Sequence, residues 1–345
     1  MPRVALLSFR LGGTDGVAVV AADWHRALAG LGWDVVTVAG SGTADRLVPG
    51  LGWPSPGHPP RDDDVASTLA DVDLVIVENL CSLPLNPPAT AVVTRVLAGR
   101  PAVLHHYDLP WQRPRYRHHQ GWPPDDPAWR HVTLNELSRR ELAERAIHAE
   151  VVPLGVDPDE APGDRLATRA RLQVAPGERL VLHPARAIAR KRVPVALALA
   201  ERLGATYWLT GPPEEDYALE LAEVLGAART RVIHRPAPSS MADAYAAADV
   251  VAFPSASEGF GRPLLEAAVH RRPLAGGDFP AGAELAAGGF RWFSPDEPDR
   301  LARFLASPDQ ALHDHNAALV RRHFSLAVVT RALAVLLDEW DGLGG

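Results

Sequence analysis

Apolar and polar positions follow two different rhythms along this chain. Short runs rich in β-branched residues are followed by longer segments in which apolar residues recur every three or four positions. In the segment 17–31, for example, Val20, Trp24 and Leu28 share one helical face. Strands that alternate with helices in this way are typical of parallel sheets covered by helices on both faces.

Two series of such elements follow one another. The first predicts a helix at 17–31 and strands at 4–9, 33–39, 74–78, 101–105 and 150–152. The second predicts strands at 179–183, 206–210, 231–234 and 250–253, with helices at 194–203, 214–225 and 241–247. A last helix, 326–340, has no strand after it. Each half therefore has the pattern of a doubly wound, Rossmann-like α/β domain.

The length of the chain also favours two domains, since 345 residues is about twice a common domain size. We predict a first domain at 1–160, a second at 161–325, and a C-terminal helix at 326–345 that packs back on the first domain. The segment 153–164, rich in proline, glycine and acidic residues, is the predicted linker. The two domains are expected to face a central cleft at the carboxyl ends of both sheets, where open α/β sheets bind ligands.

Composition and charge exclude several classes of protein. The net charge is -7 and no long block of Lys or Arg occurs, which argues against nucleic acid as a partner. No apolar run reaches the roughly 18 residues that a membrane-spanning helix needs, and the N-terminal residues have the pattern of a strand, not of a signal peptide. We therefore expect a cytoplasmic protein. Cys81 is the only cysteine, so we expect neither an internal disulfide nor a thiolate metal site.

The segment 254–268 is the strongest candidate for a binding site. It reads as a strand end, a glycine-rich loop and a helix, and Pro263 suits the first helical position. Gly259 and Gly261 allow a ligand to approach the backbone closely, and the amides at a helix N-terminus attract an anion such as a diphosphate. Carboxylates repel phosphate, so Glu258 and Glu266 are expected to face the hydroxyl groups of sugars.

The spacing of Glu258 and Glu266, with Pro-Ser before the first and Glu-Ala at the second, resembles the signature of retaining GT-B glycosyltransferases of family 4, the glycosyl transferases group 1. This resemblance implies that Glu266 holds the ribose diol and that Glu258 contacts the donor sugar. It also implies that the loop binds the donor diphosphate through Phe260, Gly261, Arg262, Leu264 and Leu265. The implied fold is GT-B.

Three further matches extend the resemblance. Arg186 and Lys191, five residues apart after a predicted strand, resemble the pair that clamps the diphosphate; Lys191 is the only lysine in the chain, and Arg192 stands where the family usually has glycine. The segment 12–16 resembles the N-terminal glycine loop of the family. It implies that Gly13 and Gly16 bind the donor. The third match is the segment 231–235, which lies where the nucleobase usually stacks in the family and implies that His234 and Arg235 belong to the base pocket.

The first domain is expected to hold the acceptor, and its most unusual stretch is 105–119. The family often has a His-Asp pair here whose histidine touches the donor hexose, whereas this chain has Tyr107-Asp108. We therefore assign His106 and Asp108 to the catalytic site. The predicted acceptor contacts are Arg113, Arg115 and Arg117, which suit an anionic or sugar-bearing acceptor, and Glu78 and Asn79, which end another strand.

No cofactor and no obligatory metal are expected, because Arg186, Lys191 and a helix dipole can neutralise a leaving diphosphate. The acidic runs 62–64 and 71–73 imitate a metal-binding DxD motif, but one lies in a proline-rich loop and the other opens a strand. The hypothesis is a retaining transferase that moves a hexose from a nucleotide-diphosphate sugar to a hydroxyl group of a small molecule or glycan. A GT-B-fold nucleotide-sugar epimerase and a non-catalytic sugar-nucleotide-binding subunit are the alternatives.

Overall fold

The computed structural model describes residues 1–13, 15–54, 57–214, 216–237 and 240–338, and these residues form two units. The first unit comprises Met1–Gly155 together with the chain from Phe324 onward, and the second comprises Val156–His323. The first boundary thus lies five residues before the predicted one. Residues 339–345, which include the end of the predicted last helix, lie outside the described residues.

The first unit is built on a parallel sheet of seven strands with the order β3-β2-β1-β4-β5-β6-β7. Its strands are β1 (Arg3–Leu11), β2 (Asp34–Gly42), β3 (Arg46–Leu47), β4 (Leu74–Glu78), β5 (Ala102–His106), β6 (Trp129–Thr133) and β7 (Ala149–Val151). Its helices are α1 (Gly16–Gly30), α2 (Asp62–Thr68), α3 (Pro87–Leu97), α4 (Glu136–Ala143) and, from the end of the chain, α13 (Leu326–Asp338).

The C-terminal helix α13 packs against α1, as the sequence predicted. Helix α13 also lies close to Gly155, where a Cβ atom would be 2.8 Å from Val329 Cγ2. Val329, Leu333 and Leu336 of α13 are buried, so the apolar face of this helix becomes part of the first unit.

The second unit has a parallel sheet of five strands with the order β10-β9-β8-β11-β12. Its strands are β8 (Leu180–His183), β9 (Thr206–Leu209), β10 (Val232–His234), β11 (Val250–Phe253) and β12 (Leu274–Gly276). Its helices are α5 (Arg165–Leu172), α6 (Val193–Arg202), α7 (Ala218–Gly226), α8 (Met241–Ala247), α9 (Arg262–Val269), α10 (Pro280–Ala287), α11 (Pro298–Ala306) and α12 (Gln310–His323). The predicted pair of doubly wound α/β domains is therefore confirmed.

Some local details differ from the sequence predictions. Strand β6 was not predicted, because the polar residues Arg130 and His131 interrupt its apolar pattern. Helix α9 begins at Arg262, so Pro263 takes its second position. Residues 62–64 form the first turn of α2 and not a loop. No helix in the described part of the chain is long and apolar enough to cross a membrane.

Candidate functional site

Two loops of the second unit meet because the strands that precede them are neighbours in the sheet. Strands β8 and β11 pair in parallel, so residues 184–192 and 254–261 leave the same edge. Lys191 Nζ lies 2.5 Å from Glu258 Oε1, and Arg190 Nη1 lies 3.0 Å from Glu258 Oε2. The N–H of Ala256 donates to the carbonyl oxygen of Arg190 at 2.9 Å. Residues from two separate sequence motifs thus form one cluster, to which Arg190 adds a cation that was not predicted.

The cluster is largely shielded from water. The side chains of Lys191 and Glu258 are 11% and 10% exposed, and the ammonium lies 5.0 Å from the ring centre of Phe253. Burial lowers the pKa of Lys191 to about 8, against the opposing effect of Glu258. Burial alone would raise the pKa of Glu258, but Lys191 and Arg190 outweigh it and lower the value to about 2. At neutral pH two cations therefore flank one carboxylate, an arrangement that suits an anionic ligand.

Arg186 lies in the same loop but has a different partner. Its Nη1 atom lies 2.6 Å from Glu214 Oε2, in the connection between β9 and α7. Arg186 also lowers the pKa of Lys191, which is the expected effect of a nearby like charge. The structure thus brings Arg186 near Lys191 while Glu214 offsets its charge.

The backbone entering α9 depends on glycine. Gly261, the residue before the helix, has φ +104°, and a Cβ atom there would lie 2.7 Å from Leu264 Cδ1 and 2.9 Å from Phe279 Cζ. The side chains of Phe260, Leu264 and Leu265 are buried, so only their backbone atoms are available for the predicted diphosphate contact.

Glu266 lies in the second turn of α9. Its Oε1 accepts a hydrogen bond from Arg262 Nε and its Oε2 accepts one from Tyr245 Oη, each at 2.7 Å. Both oxygens are therefore fixed by donors from the second unit itself. Tyr245 was not predicted, because it lies in a helix outside every motif.

The two predicted base-pocket residues differ in their surroundings. His234 is exposed, and its Nε2 lies 2.9 Å from the carbonyl oxygen of Gly211. The guanidinium of Arg235 instead donates to the carbonyl oxygen of Arg171, near the C-terminal end of α5, where the helix dipole stabilises a cation. This contact borders a cavity of about 250 Å³ that is also lined by Leu172 and Arg231. The side chain of Arg235 therefore serves the packing of α5.

The glycine loop of the first unit joins β1 to α1. Asp15 caps the helix, because its Oδ1 accepts hydrogen bonds from the N–H groups of Val17 and Ala18 at 3.2 Å. A Cβ atom at Gly16 would meet nothing within 4 Å, and one at Gly13 would lie 3.2 Å from Asp15 Oδ2. The glycine that the backbone requires is Gly12, which has φ +76°. Residue 14 lies outside the described residues.

The structure corrects the catalytic assignment of His106. This residue is buried, with Nδ1 2.7 Å from Ser82 Oγ and Nε2 2.8 Å from Nδ1 of His131. His131 in turn lies 3.0 Å from Asp125 Oδ1 through its Nε2. Burial lowers the pKa of His106 well below its usual range. A neutral ring with both nitrogens engaged inside the unit has no atom left for a donor sugar.

Asp108 and Arg113 pair with each other at 2.7 Å, which offsets the charges predicted for catalysis and for acceptor binding. Arg115 and Arg117 are exposed on the same loop, and Arg115 lies over the ring of Tyr116. Of the three arginines predicted to contact the acceptor, these two are the ones at the surface.

Glu78 and Asn79, which were predicted to contact the acceptor, are buried inside the first unit. Glu78 is fully buried, and its Oε2 lies 2.8 Å from His105 Nδ1 and accepts a hydrogen bond from Tyr107 Oη at 2.9 Å. Asn79 Oδ1 accepts from the N–H of Tyr107 at 3.1 Å. The ring of Trp24 stacks on His105 at 4.0 Å between centroids. The two residues therefore shape the end of β5 from within.

In each acidic run that imitates a DxD motif, one aspartate forms ion pairs with arginines. Asp62 lies 2.7 Å from Arg95, and Asp71 lies 2.6 Å from Arg46 and 2.5 Å from Arg3. Within the described ranges, no group of three or more His, Cys, Asp or Glu side chains is arranged to hold a metal ion.

The chain is similar to known proteins in both sequence and fold. Over 417 aligned positions, the chain is 25% identical to the mannosylglucosylglycerate synthase of Thermotoga maritima, covering 94% of this chain and 97% of that protein. Its fold is similar to that of Anabaena HepE in complex with UDP-glucose (TM-score 0.74, 18% identity, 98% and 99% of the two chains covered). It is also similar to the sucrose-phosphate synthase of Thermosynechococcus elongatus (TM-score 0.75, 15% identity, 99% of each chain covered).

The two parallel sheets and these neighbours define the GT-B fold. Residues 164–316, which contain Arg186, Lys191, Glu258 and Glu266, match the family model described as glycosyl transferases group 1. This match covers most of the second unit and confirms the resemblance to the glycosyl transferases group 1 found in the sequence. Together with the similarity to the Thermotoga synthase, it identifies the chain as a glycosyltransferase.

Proposed function

We propose that this glycosyltransferase takes its hexose from a nucleoside-diphosphate sugar and transfers it to a hydroxyl group with retention of anomeric configuration, without an obligatory metal. The observation that carries the proposal is the contact between Lys191 and Glu258. Residues 67 positions apart in the sequence meet at the edge of one sheet, beside the glycine that opens α9.

The charges of this cluster suit the reacting part of such a donor. Lys191 and Arg190 form an electropositive pair, and Arg186 lies near enough to lower the pKa of Lys191. A diphosphate gains negative charge as its bond to the sugar breaks, and fixed cations in a shielded site stabilise that charge most. Glu258 holds the two cations in place, and a free lone pair on its carboxylate can accept a hydrogen bond from a sugar hydroxyl.

The proposed reaction needs no protein nucleophile. The bond between the anomeric carbon and the diphosphate oxygen breaks, and a bond from the acceptor oxygen to that carbon forms on the same face. The acceptor's proton passes to the departing diphosphate. The exposed Arg115 and Arg117 favour an acceptor that is anionic or rich in sugar hydroxyls.

A donor screen tests the first part of this proposal. UDP-, GDP-, ADP- and TDP-glucose and the corresponding mannose donors are compared by thermal shift, where a ligand at 100 times its dissociation constant stabilises by about 2.7 kcal/mol. The best donor is then incubated with candidate acceptors, with EDTA and without any acceptor. Activity abolished by EDTA and restored by a divalent cation would refute metal independence. A new nucleotide sugar formed without acceptor would favour an epimerase.

Product stereochemistry and one substitution test the rest. NMR should show the donor's anomeric configuration in the product, and inversion would refute the mechanism. Lys191→Ala should lower kcat/KM by about 100-fold or more, the usual effect of losing one charge-stabilising group. Arg192→Ala is the matched control, since it removes an exposed cation at the next position. Undiminished activity of the Lys191 variant would exclude the cluster from the reaction.

A further inference from the structure

Tyr245 contacts the carboxylate of Glu266 but lies outside the sequence motif to which Glu266 belongs. Its ring is fully buried, and its hydroxyl donates to Glu266 Oε2 at 2.7 Å. Arg262 Nε occupies the other oxygen of the same carboxylate. A carboxylate has about four acceptor positions, so one on each oxygen stays available for a ligand.

Tyr245 is itself held firmly. The ring of His270 stacks on it with centroids 5.0 Å apart and an interplanar angle of 11°. His270 Nε2 in turn lies 3.2 Å from Glu160 Oε2. Burial, and then the charge of Glu266, raise the pKa of Tyr245 well above its usual range, so the phenol is protonated and can donate at neutral pH.

We propose that Tyr245 is a positioning residue that sets the orientation of the Glu266 carboxylate and thereby selects ribonucleotides over nucleotides that lack ribose hydroxyls. This inference rests on the proposed function and on the role that the family resemblance implies for Glu266, which is to bind the ribose diol of the donor. Two adjacent hydroxyls match a carboxylate only when both oxygens point at them. The last torsion of a glutamate is broad, so a fixed donor such as Tyr245 Oη is needed to hold that direction.

The experiment measures discrimination between nucleotides, not activity. UDP, GDP and ADP and their 2′,3′-dideoxy analogues are titrated by calorimetry into the full-length protein and its Tyr245→Phe variant. For the nucleotide that binds best, the wild type should prefer the ribose form by about 100-fold, since two hydrogen bonds to a charged group are lost in the analogue. In Tyr245→Phe this preference should fall to about tenfold, because a carboxylate held by Arg262 alone can turn away and keeps about one of the two bonds. Affinity for the dideoxy analogue should stay the same.

A matched control separates positioning from general damage. Tyr207→Phe removes an equally buried hydroxyl of the second unit, which lies 2.7 Å from His183 Nδ1, and should leave the preference at its wild-type value. An unchanged preference in Tyr245→Phe, or an equal fall in Tyr207→Phe, would overturn the inference while leaving the proposed function intact. A wild type that binds TDP, titrated in the same way, but none of the three ribonucleotides would also overturn the inference, whereas a wild type that binds none of the four nucleotides would refute the proposed function. Loss of dideoxy binding in Tyr245→Phe would show a structural role and would also overturn the inference.

Discussion

The ion pair between Lys191 and Glu258 allows a quantitative test of the electrostatics of the second unit. Lys191→Met keeps most of the side-chain volume but removes the charge that lies 2.5 Å from Glu258 Oε1. Only about a tenth of either side chain is exposed, so solvent replaces little of the lost interaction. Glu258 keeps one cationic partner, Arg190, at 3.0 Å.

Two opposing effects set the size of the change. Removing one partner of a buried ion pair costs about 3–5 kcal/mol, because the other charge is left uncompensated. Here Arg190 remains, and loss of Lys191 also removes the cost of burying its ammonium. We therefore expect a net loss of about 2 kcal/mol. For a unit of this size, that loss lowers the midpoint of its unfolding transition by about 4–8 °C.

The double variant Lys191→Met/Glu258→Gln provides the second half of the test. With neither charge present, no uncompensated carboxylate remains, and stability should return to within about 1 kcal/mol of the wild type. The four proteins form a double-mutant cycle, measured by scanning calorimetry so that the transitions of the two units can be followed separately. If Lys191→Met costs as much in the Glu258→Gln background as in the wild type, the two charges are not coupled and the electrostatic reasoning is wrong.

Two further predictions concern stability. The pKa of Glu258 in the folded protein is about 2, below its ordinary value of 4.5. The contribution of its charge to the free energy of unfolding is therefore complete above about pH 4.5 and is lost as the pH falls toward 2. Urea denaturation should show the stability difference between wild type and Glu258→Gln shrinking over that range, and a difference independent of pH would contradict the assignment. Gly261→Ala should lower the free energy of unfolding by about 2 kcal/mol, because the φ of +104° is strained for alanine and the added Cβ would press on Leu264 and Phe279. Gly226→Ala, where nothing lies within 4 Å of the added Cβ, should be nearly neutral. Equal thermal stability of the two variants would refute the steric argument.

The sequence predicted the framework well because the framework rests on local patterns. The central strands β4, β8 and β11 are apolar runs in which the only polar residues are the last ones of β4 and β8, Glu78 and His183, and each strand was predicted to within one residue. Strands β3 and β12 are only two and three residues long, and a run of that length carries no measurable period. Strand β6 was missed because Arg130 and His131 interrupt its apolar pattern, and the sequence does not reveal that His131 is buried in a chain of hydrogen bonds.

The candidate site was predicted in part, for a similar reason. Glu258, Lys191 and Glu266 belong to compact motifs with fixed spacing, and motif recognition found them. The side chains that hold them in place come from elsewhere: Arg190 carries no motif signal of its own, and Tyr245 lies 21 residues before Glu266. In the first unit, the adjacent histidines 105 and 106 were indistinguishable in sequence, and only the structure shows that they lie in different hydrogen-bond networks.

The histidines of β5 also bear on how the first unit can take part in the reaction. Successive residues of a strand point to opposite faces of the sheet, so His105 contacts Glu78 and Trp24 while His106 contacts Ser82 and His131. Neither ring is exposed, whereas Asp125, the last member of the second network, is about half exposed. Asp125 lies in the connection that also carries Arg115 and Arg117, so the hydrogen-bond network of His106 reaches the loop that is proposed to contact the acceptor. Substitutions of His106 should therefore alter acceptor KM more than donor affinity.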